Sequence, residues 1–284
     1  MKMFHMSRRA LGLAALGALL TLPTFAAFSQ DPPPLPGVIY AVNQTGHLLW
    51  YRHDGRGDGS FKWASNEGRT VGVGWGGAKR VFSGGNGVIY SIADDGNLLW
   101  YRHEGRAGGT FAWASNEGRK VGVGWGDAKQ VFAADDGIIY VVNQAGDLLW
   151  YRHEGRGDGS FKWTSNEGRK VGVGWGDAKK VFAGGDGIIY AIAANGDLLW
   201  YRHDGRRDGS FKWASNAGRK VGSGWGDAQQ VFYGGSGLIY AINSAGDLLW
   251  YRHTGRGDGR FAWTSNEGRK VGAGWGALKQ AFGG

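Results

Sequence analysis

The sequence predicts an all-β fold: a five-bladed β-propeller of four-stranded antiparallel blades, closed by pairing of the C-terminal strand with the first repeat. Three observations predict it. From Gly37 the chain repeats every 50 residues without insertion or deletion, in units that begin at Gly37, Gly87, Gly137, Gly187 and Gly237. Each unit carries short β-branched and aromatic runs separated by glycine-rich turns, and no window has a capped 3.6-residue period. Four short strands in about 50 residues is the size of a propeller blade.

The elements follow in chain order. Lys2, Arg8 and Arg9 precede an apolar run from Ala10 to Leu22, then Pro23 and the small residues Ala26, Ala27 and Ser29. This charged, apolar and small-residue order predicts a secretory signal peptide over residues 1–29. The run is too short to span a bilayer, so no stable membrane insertion is expected after cleavage. The mature protein is expected to be secreted or periplasmic. Ser7-Arg8-Arg9 leaves twin-arginine export as an alternative route. Residues 30–36, QDPPPLP, read as a stiff extended linker. The propeller is assigned to 37–284.

Within the first unit, residues 37–42 form a strand and Asn43-Gln44-Thr45-Gly46 a turn, with Gly46 suited to positive φ. Leu48 to His53 is a second strand and 54–59 a loop. Phe61 to Ser65 and Arg69 to Val73 share an outer strand or small hairpin. Gly72 to Gly76 makes a sharp crossing, and Ala78 to Phe82 is the strand that enters the next unit. In the string Leu48-Leu49-Trp50-Tyr51, alternate residues face opposite ways and both faces are apolar,. Each blade must therefore be covered on both sides. The terminal repeats resemble the middle ones and lack polar caps, which favours a closed ring over an open solenoid. The chain stops just after Leu278 to Phe282, the strand that elsewhere precedes Gly-Val-Ile-Tyr, so that strand is expected to complete the first blade.

Composition narrows the chemistry. Zero Cys excludes a disulfide scaffold and a thiolate metal site or nucleophile,. The chain carries a formal net charge of +9; without Lys2, Arg8, Arg9 and Asp31 the remainder has 30 basic and 23 acidic residues, a net of +7. The signs are interspersed, so no nucleic-acid partner is expected. Glycine makes up 55 of 284 residues without a collagen period, and the 15 Trp are three per repeat,.

Candidate binding residues recur once per blade. The Trp50 class lies mid-strand among apolar neighbours and reads as inter-blade core, as do Tyr40, Tyr51 and Phe82. Trp63, Trp113, Trp163, Trp213 and Trp263, with Trp75, Trp125, Trp175, Trp225 and Trp275, lie beside glycines. There an indole can either pack or offer its face to the C–H face of a sugar. Ser-Asn-x-Gly-Arg recurs in every repeat. Its Asn66, Asn116, Asn166, Asn216 and Asn266 supply a donor and an acceptor, and its Arg69, Arg119, Arg169, Arg219 and Arg269 a rigid donor fork, which suits vicinal hydroxyls. The competing reading is a plain turn with a surface charge. Exchanging the five Asn for Ala is expected to abolish sugar binding and leave the fold.

Ala217 replaces the Glu67, Glu117, Glu167 and Glu267 of the other repeats, so glutamate is either dispensable or that site is weaker. His53, His103, His153, His203 and His253 sit on separate blades and would not cluster as metal ligands; a structural hydrogen bond or a rim contact to sugar is expected, and no metal or cofactor. Asp58 is replaced by Gly108 in the second repeat, so a five-fold site cannot depend on it. Gly72-x-Gly74-x-Gly76 lacks the following helix and Lys-Ser/Thr of a phosphate loop. Arg56-Gly57-Asp58 is lost in repeats two and four and reads as loop chemistry.

The run Lys170-Val171-Gly172-Val173-Gly174-Trp175, through Val181-Phe182 to Gly187-Ile188-Ile189-Tyr190, resembles the tachylectin-2 family, and the likeness covers all five repeats over about 37–284. It implies a five-bladed propeller lectin that binds N-acetylated hexosamines in five near-equivalent sites, one between each pair of adjacent blades. Its partners would be glycans such as surface polysaccharides containing GlcNAc or GalNAc. The chain departs from the family pattern where Phe161-Lys162-Trp163 replaces Asp-Asn-Trp, and in a turn at Val173-Gly174-Trp175 that is one residue shorter.

Three functions are compared. A multivalent lectin needs near-identical sites, and weak single sites then gain avidity. A propeller glycosidase needs blade-specific carboxylates around one centre. Blade-unique acids such as Asp94, Asp95 and Asp135 fall in variable turns, so no enzyme is expected. A protein-interaction platform would diverge blade by blade at exposed positions, and these blades do not.

Overall fold

The structure, a computed structural model, describes residues 37–284. The expected signal peptide and Pro-rich linker lie outside the described residues. No helix among the described residues is long and apolar enough to cross a membrane.

Twenty strands form five four-stranded antiparallel sheets. The first repeat supplies β1 (Val38–Val42), β2 (Leu48–Arg52) and β3 (Arg69–Gly72). Blade 2 is β4 (Arg80–Gly85), β5 (Val88–Ile92), β6 (Leu98–Arg102) and β7 (Arg119–Gly122). Blade 3 is β8 (Gln130–Ala133), β9 (Ile138–Val142), β10 (Leu148–Arg152) and β11 (Arg169–Gly172). Blade 4 is β12 (Lys180–Gly185), β13 (Ile188–Ile192), β14 (Leu198–Arg202) and β15 (Arg219–Gly222). Blade 5 is β16 (Gln230–Gly235), β17 (Leu238–Ile242), β18 (Leu248–Arg252) and β19 (Arg269–Gly272). The last strand, β20 (Gln280–Gly283), pairs with β1 and completes blade 1 in the order β20-β1-β2-β3. The ring thus closes as expected, and the joint leaves no bare sheet edge.

The local chemistry explains the elements. At the β1–β2 turn the Asn43 carboxamide oxygen accepts from the Thr45 and His47 amides, and Gly46 takes φ 79°,. The strand from Ala78 starts two residues later than expected, at Arg80, and runs on to Gly85. Phe61 to Ser65 is not a strand: Trp63 forms an isolated bridge to His53, just past β2, and the Ala64 amide donates to the Arg52 carbonyl at the end of β2. The segment folds back on itself because the Gly55 amide donates to the Lys62 carbonyl and the Lys62 amide to the Ser60 carbonyl. These bonds occupy the backbone groups that a longer ladder would need.

The core lies between blades. Val38, Tyr40, Val42, Leu48 and Trp50 form one face of blade 1 and pack against Val81 and Ile89 of blade 2. Trp50 is fully buried and its indole N–H donates to the Arg106 carbonyl of blade 2, 2.8 Å away. All five Trp of this class do the same toward the next blade. The core assignment of the Trp50 and Tyr40 classes therefore holds. Gly109 shows why the loop residue over that ring is glycine. It has φ 62°, and a Cβ there would stand 2.5 Å from the Trp50 ring,.

A second set of ties joins the buried Tyr and His side chains. Tyr40 pairs with His103, Tyr90 with His153, Tyr140 with His203, Tyr190 with His253 and Tyr240 with His53, at 2.7–2.8 Å. Each histidine Nε2 faces a backbone carbonyl 2.8–2.9 Å away. A carbonyl only accepts, so Nε2 carries the proton, Nδ1 is bare, and the tyrosine hydroxyl donates to it. The histidines are thus structural, the first of the two roles expected for them. No group of three or more His, Cys, Asp or Glu among the described residues could hold a metal ion.

Candidate functional site

Between adjacent blades the link that leaves one blade meets the outer loop of the next. In blade 1 this link is residues 72–78. Gly74 takes φ 82°, Trp75–Gly77 forms a short 3-10 turn, and the Trp75 amide is held by the Gly46 carbonyl. Gly72 lets the Trp75 indole lie flat over the strand end, since a Cβ there would sit 2.5 Å from Nε1. From blade 2 the wall is Tyr101 on β6 with Phe111, Trp113 and Glu117 on the loop. Together they enclose a cavity of about 560 Å³. The same residue classes, Trp275 and Gly272–Gly274 against Tyr51, Phe61, Trp63 and Glu67, enclose a cavity of about 310 Å³ between blades 5 and 1.

The aromatic geometry is five-fold. Each Trp of the Trp75 class lies 4.5–4.8 Å from the Tyr of the next blade, centroid to centroid. It lies 5.6–5.8 Å from that blade's outer Trp. Trp75 is 7% exposed, so most of its surface is spent on packing. The outer Trp also clips blades together: the Trp113 N–H donates to the Val71 carbonyl of blade 1 at 2.7 Å, and the other four repeat this. Both readings of these Trp are therefore physically present, as cement and as pocket wall.

Three polar groups in the pocket are not consumed by the protein. Among the described residues, the Trp75 indole N–H, the Tyr101 hydroxyl and the Glu117 carboxylate have no hydrogen-bond or ion-pair partner. Burial raises the Tyr101 hydroxyl pKa, and the Glu117 charge raises it further. Burial also lifts the Glu117 carboxyl above its ordinary value, as at Glu67 and Glu267. A donor, an acceptor and a hydroxyl thus surround an aromatic wall, while Val73 and Phe111, each about 60% exposed, form an apolar lip.

The structure brings the two Trp classes together but places the Asn and Arg classes differently. Neither Asn116 and Arg119 nor Asn66 and Arg69 line these two cavities. The Asn66 side-chain amide donates to the Gly108 carbonyl of blade 2 at 2.6 Å, and Asn116, Asn166, Asn216 and Asn266 make the same tie to their neighbours. The Arg269 guanidinium reaches the Asp58 carbonyl of that neighbouring loop at 3.5 Å.

Tyr51 and Tyr101, expected in the core, pack partly buried against it and also line these two pockets, as do Phe61, Phe111, Glu67 and Glu117. Alternation along β2 held the signal for Tyr51, because it faces opposite Trp50 and precedes a polar pair. Phe82 lies in the inter-blade core as expected, buried in one cluster with Tyr90 of its own blade and Ile139 of blade 3. It also lines the central channel with Phe132, Phe182, Phe232 and Phe282, around a cavity of about 410 Å³. Inner-strand residues have no further strand beyond them, so one edge of each ring meets the axis.

A solved structure described as a symmetrical protein from a study of de novo evolutionary emergence under folding constraints is 20% identical. It covers 87% of this chain and 98% of its own, with a TM-score of 0.58. The lectin SapL1, solved in complex with alpha methyl fucoside, is 16% identical over 80% of this chain and 74% of its own, with a TM-score of 0.43. No curated protein matches the chain. The Tachylectin family model matches residues 41–280, nearly the whole of the five repeats, and the chain belongs to that family.

Proposed function

We propose that the protein is an exported, non-catalytic, multivalent lectin that binds one sugar unit in each of its five inter-blade pockets, with N-acetylated hexosamines as the preferred class. One observation carries the reading. The same pocket occurs between blades 1 and 2 and between blades 5 and 1, with an aromatic wall and three polar groups that the protein leaves unpaired; the fourth repeat, with Ala217, lacks the carboxylate. Sugars present apolar C–H faces bordered by hydroxyls, and such a wall with a donor and acceptors at its edge matches both. The carboxylate accepts from a hydroxyl or an amide N–H, while the apolar lip suits an acetyl methyl. A carboxylate without a basic neighbour also disfavours anionic sugars. Membership of the Tachylectin family supports the lectin assignment, and the charged, apolar and small-residue order of residues 1–29 supports export.

A glycan array with residues 30–284, followed by calorimetry on each hit, tests this. Neutral N-acetylated hexosamines are expected to bind with up to five equivalents per chain. A correctly folded protein that binds no glycan would replace the reading with a protein-interaction propeller.

A further inference from the structure

The five inner strands present one residue each, in the same register, at one end of the central channel: Arg80, Gln130, Lys180, Gln230 and Gln280. Glutamine at this position ties blade to blade. The Gln280 Oε1 accepts from the Val81 amide, Gln130 from Val181 and Gln230 from Ala281, each at 2.7 Å. The amides of Gln130 and Gln230 also donate to the Ala178 and Leu278 carbonyls.

Two joints break this pattern. Before Val131 and Val231 the preceding blade supplies Arg80 and Lys180, which have donors and no acceptor. The Val131 and Val231 amides therefore face cations where the other three joints offer a carboxamide oxygen. Both cations are half-buried. Arg80 spends one N–H on the Lys129 carbonyl. Lys180 has no hydrogen-bond or ion-pair partner among the described residues. Burial depresses the Lys180 pKa, and the Arg80 charge depresses it further.

We propose that this end of the channel binds one small oxyanion, phosphate or sulfate, held by the Arg80 guanidinium, the Lys180 ammonium and the Val131 and Val231 amides. An oxyanion has acceptors on every side, so one ion supplies what the two missing glutamines do not, and it neutralises the paired cations. This site is separate from the sugar pockets and stands or falls independently of them.

The test is thermal unfolding of the full propeller against inorganic phosphate, at constant ionic strength set with sodium chloride. The double variant R80Q/K180Q, which restores five glutamines, serves as the control for general salt effects. The wild type is expected to show a saturable rise in Tm, about 5 °C or more once phosphate exceeds its Kd a hundredfold. The double variant is expected to lose that rise, to melt higher than wild type without phosphate, and to bind glycans unchanged. Titration with a hexose 6-phosphate separates free phosphate from a phosphoryl group on a glycan; saturation by either supports the site. A phosphate response no larger than that of chloride in the wild type, or the same response in the double variant, overturns it. Calorimetric titration of phosphate into wild type alone decides the matter should the variant fail to fold.

Discussion

The five buried Tyr–His pairs make the propeller acid-sensitive in a defined pH window. His53, His103, His153, His203 and His253 are 0–2% exposed, each with a bare Nδ1 taking a tyrosine proton and an Nε2 that already donates to a carbonyl. Burial lowers the pKa of all five below the ordinary histidine value. In the unfolded chain they titrate near 6.5. Between that value and their depressed native values the unfolded state binds more protons, so stability is lost as pH falls. Each histidine contributes a slope of up to about 1.4 kcal/mol per pH unit, and five together approach about 7 kcal/mol per pH unit. A domain's whole stability is about 5–15 kcal/mol, so stability should fall measurably as pH drops below 6.5 and level off at the depressed native values,. The raised carboxyls of Asp135, Glu67, Glu117 and Glu267 act in the opposite sense, in windows that run upward from their ordinary values near pH 4,. Urea unfolding from pH 7.5 to 5.0 measures the slope, and H203Q should reduce it by about one fifth. Stability that stays flat across that range would refute both the tautomer assignment and the linkage.

Other perturbations separate structure from binding. Exchanging all five Asn of the Asn66 class for Ala removes five inter-blade hydrogen bonds and should lower stability by about 1 kcal/mol each. Calorimetry on the folded variant should show undiminished glycan binding, and lost binding would return these residues to the site. Changing Glu67, Glu117, Glu167 and Glu267 to Ala should weaken those four sites about tenfold, the scale of a hydrogen bond to a charged group. The site of Ala217 should be unaffected, and A217E should make all five alike. Deleting residues 277–284 removes β20, bares the edge of β1 and should cause aggregation; a monomer with unchanged Tm would contradict the closure.

The sequence by itself determined the fold. A 50-residue period with apolar residues on both strand faces can be satisfied only when each repeat is covered by two neighbours, and the strand order at the chain ends dictated how the ring shuts. It also identified Trp50 as core, because a strand's alternation is a local property. What it could not decide was which polar groups are already spent. Asn66 and Trp63 look equally available in the sequence, yet their donors go to Gly108 and Val271, residues 42 and 208 positions away. The Tyr51 hydroxyl, the Glu67 carboxylate and the Trp75 indole N–H stay unpaired among the described residues. That division depends on how one blade stacks on the next, and stacking brings together residues about one repeat apart whose spacing carries no local pattern. The breaks at Arg80 and Lys180 have the same origin. Along the chain they look like ordinary variation between repeats, and only the closed ring sets them at the joints where the other three blades use glutamine to hold a neighbour's amide.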